Sequence, residues 1–246
     1  MFPESHDAAA RHVPVGGAGA MRAAADGRRA EEGEGEPVSG GGTAPSLTLA
    51  DVLDLRAYER VRGDYRARVI ARKRDRRVAL GPIMTLVFEC LDTVRFQVQE
   101  MARVEKIISD EAIQVELDIY NRLLPGVREL SATLFIELTS DEELRHWLPR
   151  LVGIERQIAL DIGGTLVRSE PEAEHGAALT RETVTPAVHY LRFPFTEAQV
   201  EAFGAAAEVA LVSTHPAYEA RAVLPPPVQA ELLGDLLGTT KDLPIG

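Results

Sequence analysis

Two histidines stand where acid–base or metal chemistry can be built. His189 shares a strand face with Leu191, Phe193 and Phe195, and His215 precedes Pro216 in a turn. Brought together with a carboxylate, imidazoles from such positions make a proton-transfer or metal site. Kept apart, each is a hydrogen-bonded residue of the core or its rim. Glu143 and His146 form an E-x-x-H, the spacing that aligns a carboxylate and an imidazole on one helix face. Ferritin-like di-iron bundles use two such pairs and two further glutamates on four long helices. Here the pair lies on a short segment, and Glu143 completes an S-x-x-E capping box with Ser140. No metal or other cofactor is therefore assigned. Cys90 follows an apolar run and reads as a small buried hydrophobe at a strand end rather than as a nucleophile.

Glycine-rich and basic segments offer other chemistries. Asp161-Ile162-Gly163-Gly164-Thr165 matches the D-x-G-G-T phosphate loop of the sugar-kinase and actin-like fold. That fold needs far more chain downstream, and a Gly-Gly hairpin turn accounts for the same residues. No G-x-S-x-G, Walker loop, dinucleotide fingerprint or H-E-x-x-H occurs in the sequence, which removes the usual support for hydrolase, ATPase and zinc-protease readings. Residues 56–77 hold ten Lys or Arg against Glu59, Asp64 and Asp75, a net +7. The chain as a whole carries −11 and its first 45 residues −3, so the remainder carries −15. Nucleic-acid binding normally comes with a basic domain. In this acidic setting, Arg62, Arg66, Arg72, Lys73, Arg74, Arg76 and Arg77 read instead as a surface for an acidic protein partner or for the chain's own acidic surface, with a merely solvated helix face as the plain alternative.

The elements that must position these residues follow from periodicity and breakers. Residues 1–46 are rich in Ala, Gly, Arg and Glu with no apolar period, and read as a disordered tail that cannot offset its ordering entropy. Met21 within it is a candidate alternative start. Tyr58, Val61, Tyr65 and Val69 recur at helical spacing and predict a helix over 55–76, ending before Gly81-Pro82. Residues 83–89 read as a strand. Asp92 can cap a second long helix to about Asn121, with Val94, Val98, Met101, Val104, Ile108, Ala112, Val115 and Ile119 on one stripe. Strands follow at 131–138, 157–162, 165–168, 187–195, 208–213 and 218–224, with short capped helices after Ser140 and Thr196 and a last helix launched by Pro225-Pro226-Pro227. The predicted fold is α+β: a largely antiparallel sheet with two long helices and several short ones packed on it. A single domain is expected over 47–240.

Set out in this way, the chain resembles a bacterial family known only as domain of unknown function 3501 (DUF3501). The resemblance rests on Tyr58-Glu-Arg-Val-Arg-Gly-Asp-Tyr65, Arg76-Arg77-Val78-Ala-Leu-Gly-Pro82, Thr85-Leu-Val-Phe-Glu89, Asp92-Thr-Val, Gln97-Val-Gln-Glu-Met101 and His189-Tyr-Leu-Arg-Phe193. It spans about Leu49 to Leu237. The family has no established activity. The resemblance implies an accessory role beside rubrerythrin-like and iron–sulfur proteins, in redox or peroxide handling. The long N-terminal tail and Cys90, where Asn is expected, depart from the family pattern.

The lone cysteine excludes an internal disulfide and a thiolate metal cage. No secretory signal opens the chain, and no window reaches the roughly 20 apolar residues of a membrane helix. The expectation is a cytoplasmic accessory or interaction protein, leaning away from enzyme, with no membrane partner and with homo-oligomerisation open. The rival readings are a metal-dependent or redox enzyme using His189, His215 or His146 with nearby carboxylates, and nucleic-acid binding through the basic helix.

Overall fold

Every strand pairing is antiparallel in the structure, a computed structural model that describes residues 45–172 and 183–245. The expected disordered tail up to residue 44, and part of the polar loop before the 187–195 strand, lie outside the described residues. In chain order the regular elements are α1 (Leu55–Arg74), β1 (Arg77–Leu80), β2 (Met84–Phe88), α2 (Leu91–Val104), α3 (Asp110–Tyr120), β3 (Glu129–Ile136), α4 (Asp141–Trp147), β4 (Ile158–Ile162), β5 (Thr165–Arg168), β6 (Glu170–Pro171), β7 (Val188–Pro194), α5 (Glu197–Ala205), β8 (Val209–His215), β9 (Tyr218–Val223) and α6 (Pro226–Leu236). The strands form two sheets rather than one, ordered β1-β2-β3-β7-β6 and β5-β4-β8-β9. No helix among the described residues is long and apolar enough to cross a membrane.

The principal core lies between the sheets. Leu86, Phe88, Leu134, Leu191 and Phe193 of the first sheet meet Ile158, Leu160, Val209 and Leu211 of the second, and α5 and α6 close it with Phe203 and Leu232. The opposite face of the first sheet is covered by α2 and α3, through Val94, Val98, Met101, Ile113, Leu117 and Tyr190. α1 then packs on α2, burying Tyr58, Tyr65 and Val69 against Phe96. The stripe predicted for α1 is therefore its buried face.

Three local expectations change. The second long helix is two helices: Lys106 takes a left-handed φ of 55° and Ser109 caps a new start by accepting from the Ala112 N–H. The break resets the helical phase. Val104, Ile108 and Val115, assigned to the buried stripe, are 49, 83 and 56 % exposed, while Ile113, Leu117 and Tyr120 turn inward. Asp92 is not the cap of α2: Cys90 holds that position, its N–H donating to Thr93 Oγ1 at 2.9 Å, and Asp92 is buried in the first turn. Finally, α1 ends at Arg74, so Arg76 lies in a turn and Arg77 on β1. That four-residue strand is hidden in the sequence because it begins inside the basic run.

The turns and caps behave as their chemistry requires. Gly163 and Gly164, at φ 59° and 97°, connect β4 to β5 as a hairpin, with Asp161 Oδ1 accepting from the Gly164 N–H. Ser140 with Glu143 and Thr196 with Gln199 form complete capping boxes.

Candidate functional site

The face of the first sheet beneath α2 carries a buried polar layer. Glu89, just after β2, is 3 % exposed. Its Oε1 accepts from Thr133 Oγ1 on β3 at 2.6 Å, and its Oε2 accepts from Thr93 Oγ1 and, at 3.3 Å, from Gln97 Nε2, both on α2. Tyr190 of β7 stands directly opposite Thr133 on the same face. Burial, then the nearby Tyr120 and Glu89, pushes the Tyr190 hydroxyl well above its ordinary pKa, so it stays a protonated phenol. Three donors around one carboxylate meet the desolvation that an unpaired buried charge cannot bear. Both Glu89 oxygens are taken and Glu89, Thr93, Thr133 and Tyr190 are all buried, so this layer joins α2 to the sheet and presents no base to solvent. Sequence reading passed over it. The available signal is Glu89, Thr93 and Gln97 at successive steps of four, which places all three on one side of the strand-to-helix junction.

The histidines sit in separate environments. His189 is buried; its Nε2 lies 3.1 Å from Thr185 Oγ1 and its Nδ1 3.9 Å from Glu155 Oε2. Burial holds its pKa below the ordinary value against the opposing pull of Glu155. His215 Nε2 donates to the Val152 carbonyl at 3.2 Å and its Nδ1 accepts from the Ala217 N–H at 3.2 Å. Both of its ring nitrogens are thus committed to main chain. The two imidazoles reach the same segment, 152–155, through different residues and share no hydrogen-bond partner among the described residues.

Glu143 and His146 point to different tasks. The Glu143 carboxylate accepts from the Thr139 and Ser140 N–H groups at 2.9 and 3.1 Å, and these bonds, led by that from Thr139, lower its pKa. His146 contacts the Arg150 guanidinium and meets the Trp147 ring edge-on, 5.1 Å between centroids. Among the described residues no group of three or more His, Cys, Asp or Glu could hold a metal ion. Cys90 is a buried free thiol whose pKa is raised by burial, against the lowering effect of Arg76. A thiol in that state is a poor nucleophile.

The basic run divides into two sets. Arg62 donates to both oxygens of Glu100, at 2.7 and 2.8 Å, and Tyr58 Oη donates to the same carboxylate at 2.7 Å. Burial acts to raise the Glu100 pKa, but these donors outweigh it and leave the carboxyl below its ordinary range. Arg72 donates to Glu231 at 2.5 Å. Arg76, fully buried, donates to both oxygens of Asp235 at 2.6 and 2.8 Å and to Glu231 at 3.2 Å. Desolvation disfavours its charge, yet the bonds it donates to Asp235 keep the guanidinium firmly protonated. Arg77 reaches Glu137 at 2.5 Å on the surface, and the Lys73 ammonium lies 5.8 Å from the Phe96 ring centroid. The other set faces water: Arg66 is exposed, as are Arg56 and Arg60, and the Arg74 side chain is 79 % exposed beside Asp75. Of the seven basic candidates, then, Arg62, Arg72, Arg76 and, at the surface, Arg77 are hydrogen-bonded to acids of the chain, Arg76 without any solvent-facing surface.

Comparison with known proteins yields a family and no activity. The family model described as "Protein of unknown function (DUF3501)" matches residues 46–236. A solved structure, a novel protein of unknown function from Burkholderia pseudomallei K96243, is 38 % identical with a TM-score of 0.72, covering 78 % of this chain and 100 % of its own. No curated protein matches. None of these names a redox, iron–sulfur or rubrerythrin connection. Four of the six strings that carried the resemblance meet in space, since Glu89, Thr93, Gln97 and Tyr190 all belong to the polar layer.

Proposed function

We propose a docking role for this chain, which belongs to the DUF3501 family of proteins of unknown function: it is a non-enzymatic accessory protein that binds an acidic protein partner through the outward face of α1. The observation that carries this reading is the division of the basic run. With Arg62, Arg72 and Arg76 engaged internally, Arg56, Arg60, Arg66 and Arg74 still face solvent. Between them lie Gly63, Ala67 and Ala71, small and exposed, and Ile70, 43 % exposed. A Cβ at Gly63 would meet nothing within 4 Å, so the centre of the face is open to close approach. Guanidinium groups around a small, partly apolar centre suit bidentate pairing with carboxylates of another surface. In a chain of net −11, such a face attracts acidic partners locally while the rest of the molecule repels nucleic acid.

The lone thiol Cys90 supports a cytoplasmic setting. The family resemblance alone points to rubrerythrin-type and iron–sulfur systems as the place to seek the partner. The test reverses Arg56, Arg60, Arg66 and Arg74 to Glu, leaving the internal pairs intact, and verifies an unchanged melting transition. Immobilised chain is expected to retain an acidic protein from a native extract at low salt and release it by about 0.3 M NaCl, where charges more than roughly 5 Å apart are screened. The reversed chain is expected to retain none of it. Equal retention by both, or retention that a nuclease abolishes, refutes the protein-docking reading.

A further inference from the structure

The inner edge of α1 holds a second surface, and it is occupied. After α6 the chain turns at Gly238, φ 65°, and returns across α1 and α2 without forming regular structure. Four of its main-chain groups are bound by side chains of α1 and α2. Arg72 Nη2 donates to the Lys241 carbonyl at 2.8 Å, Arg68 Nη2 donates to the Pro244 carbonyl at 2.8 Å, and Arg95 Nη2 donates to the Leu243 carbonyl. The Leu243 N–H donates to Asp92 Oδ1 at 3.0 Å. Leu243 and Ile245 rest on the cluster of Tyr58, Tyr65, Val69 and Phe96.

This is the grammar of peptide recognition rather than of a domain core. Side chains that bind main-chain groups supply affinity, and pockets for particular side chains supply specificity. Pro244 fixes its own φ and restricts Leu243 to extended conformations, so the segment is preordered for such a cleft. The binding residues are themselves held rigidly: Asp92 is buried and paired with Arg95 at 2.9 Å, and Arg95 Nε donates to Tyr65 Oη at 3.1 Å. The family match ends at residue 236, so the segment lies beyond the matched residues whereas the cleft lies within them. Its tether is a short crossing over Gly234, where a Cβ would stand 2.8 Å from Thr240 Oγ1 and oblige that side chain to shift.

We infer that the cleft between α1 and α2 is a peptide-recognition groove: Lys241–Ile245 occupies it in cis, and it accepts an extended apolar–proline–apolar segment of another protein when that occupant lifts away. This surface is separate from the outward arginines, so either can fail without the other.

The test uses the full chain with a specific protease site placed between Gly238 and Thr239, and a fluorescent peptide of residues 239–245. After cleavage the chain is expected to bind the peptide, read by polarisation, about a hundredfold more tightly than the uncut chain, because a short tether holds the cis segment at an effective concentration on the order of millimolar. A peptide carrying Leu243→Asp and Ile245→Asp is expected not to bind. A cut chain that keeps its circular dichroism and does not bind, or equal binding by cut and uncut chains or by both peptides, overturns the inference. Should cleavage unfold the chain, the full-length Leu243→Asp/Ile245→Asp variant decides: folded and binding the unmodified peptide supports the groove. Folded without binding, or unfolded, shows that the segment is core and overturns it.

Discussion

Arg76 shows how much depends on a single charged side chain out of water. Its fork of donors matches the Asp235 carboxylate, whose side chain is only 6 % exposed, and a third donor contact reaches Glu231. Arg76→Met removes the cation and leaves two acids facing each other near the core. The expected loss is about 3–5 kcal/mol, the usual consequence of breaking one partner of a buried pair, measured by urea unfolding. A loss below about 1 kcal/mol would place this pair with ordinary surface bridges. His189 makes a pH-dependent prediction of definite sign. Burial depresses its folded pKa, so at mildly acid pH the unfolded chain holds the proton that the folded chain refuses. Stability therefore falls as pH drops below the unfolded value of about 6.5 and levels off below the folded value. Unfolding free energies at about pH 7.5 and about pH 5.5, above the range where Glu100 protonates, are expected to differ less in His189→Gln than in the parent chain. These roles were only half legible. That His189 lies on an apolar strand face can be read from alternation, but its nearest acid, Glu155, comes from a separate part of the chain.

At the scale of elements, the most informative feature is the interruption between α2 and α3. The apolar residues from Val94 to Ile119 continue in one helical phase, and nothing in that pattern marks the left-handed turn at Lys106. What marks it is Ser109, a good N-cap residue whose Oγ receives the Ala112 N–H. Ser109→Ala is expected to cost about 1 kcal/mol, read as a shift in the urea midpoint with an unchanged slope. The sheets are joined by another local device. Tyr218 of β9 donates to the Leu80 carbonyl at 2.7 Å and accepts from the Ile83 N–H at 3.3 Å, clasping the β1–β2 turn. Gly81 makes this approach possible: its φ is 69°, and a Cβ would stand 2.4 Å from the Tyr218 hydroxyl. Tyr218→Phe leaves two main-chain groups unsatisfied, an expected loss of about 1–3 kcal/mol. Gly81→Ala is expected to lose more in the same unfolding assay, since it adds backbone strain to the displaced ring.

At the scale of the whole molecule, the described chain is anchored where it begins. Leu47 is 2 % exposed, and its N–H and carbonyl both bond to the Asn121 side chain, at 2.8 and 2.9 Å. A chain starting at residue 45 is expected to melt like the full chain, whereas one starting at residue 49 loses this anchor and about 1.5–3 kcal/mol, the value of burying one leucine side chain. Charge is distributed on the same scale: an acidic body carries one basic helix, half of it turned inward. The amino-acid sequence alone determined most of the elements, because caps, breakers and hydrophobic periods act over a few residues, as the boxes at Ser140 and Thr196 and the hairpin at Gly163-Gly164 demonstrate; β1 and the break at Lys106 escaped it. It also determined that a +7 segment sits in an acidic chain. Only the tertiary structure decided which arginines face water and which face acids. Arg76 and Asp235, or Arg62 and Glu100, are far apart along the chain, and no local rule relates them. Their pairing follows from how α6 and α2 pack around α1, and it is that packing which leaves one face of the helix exposed to solvent.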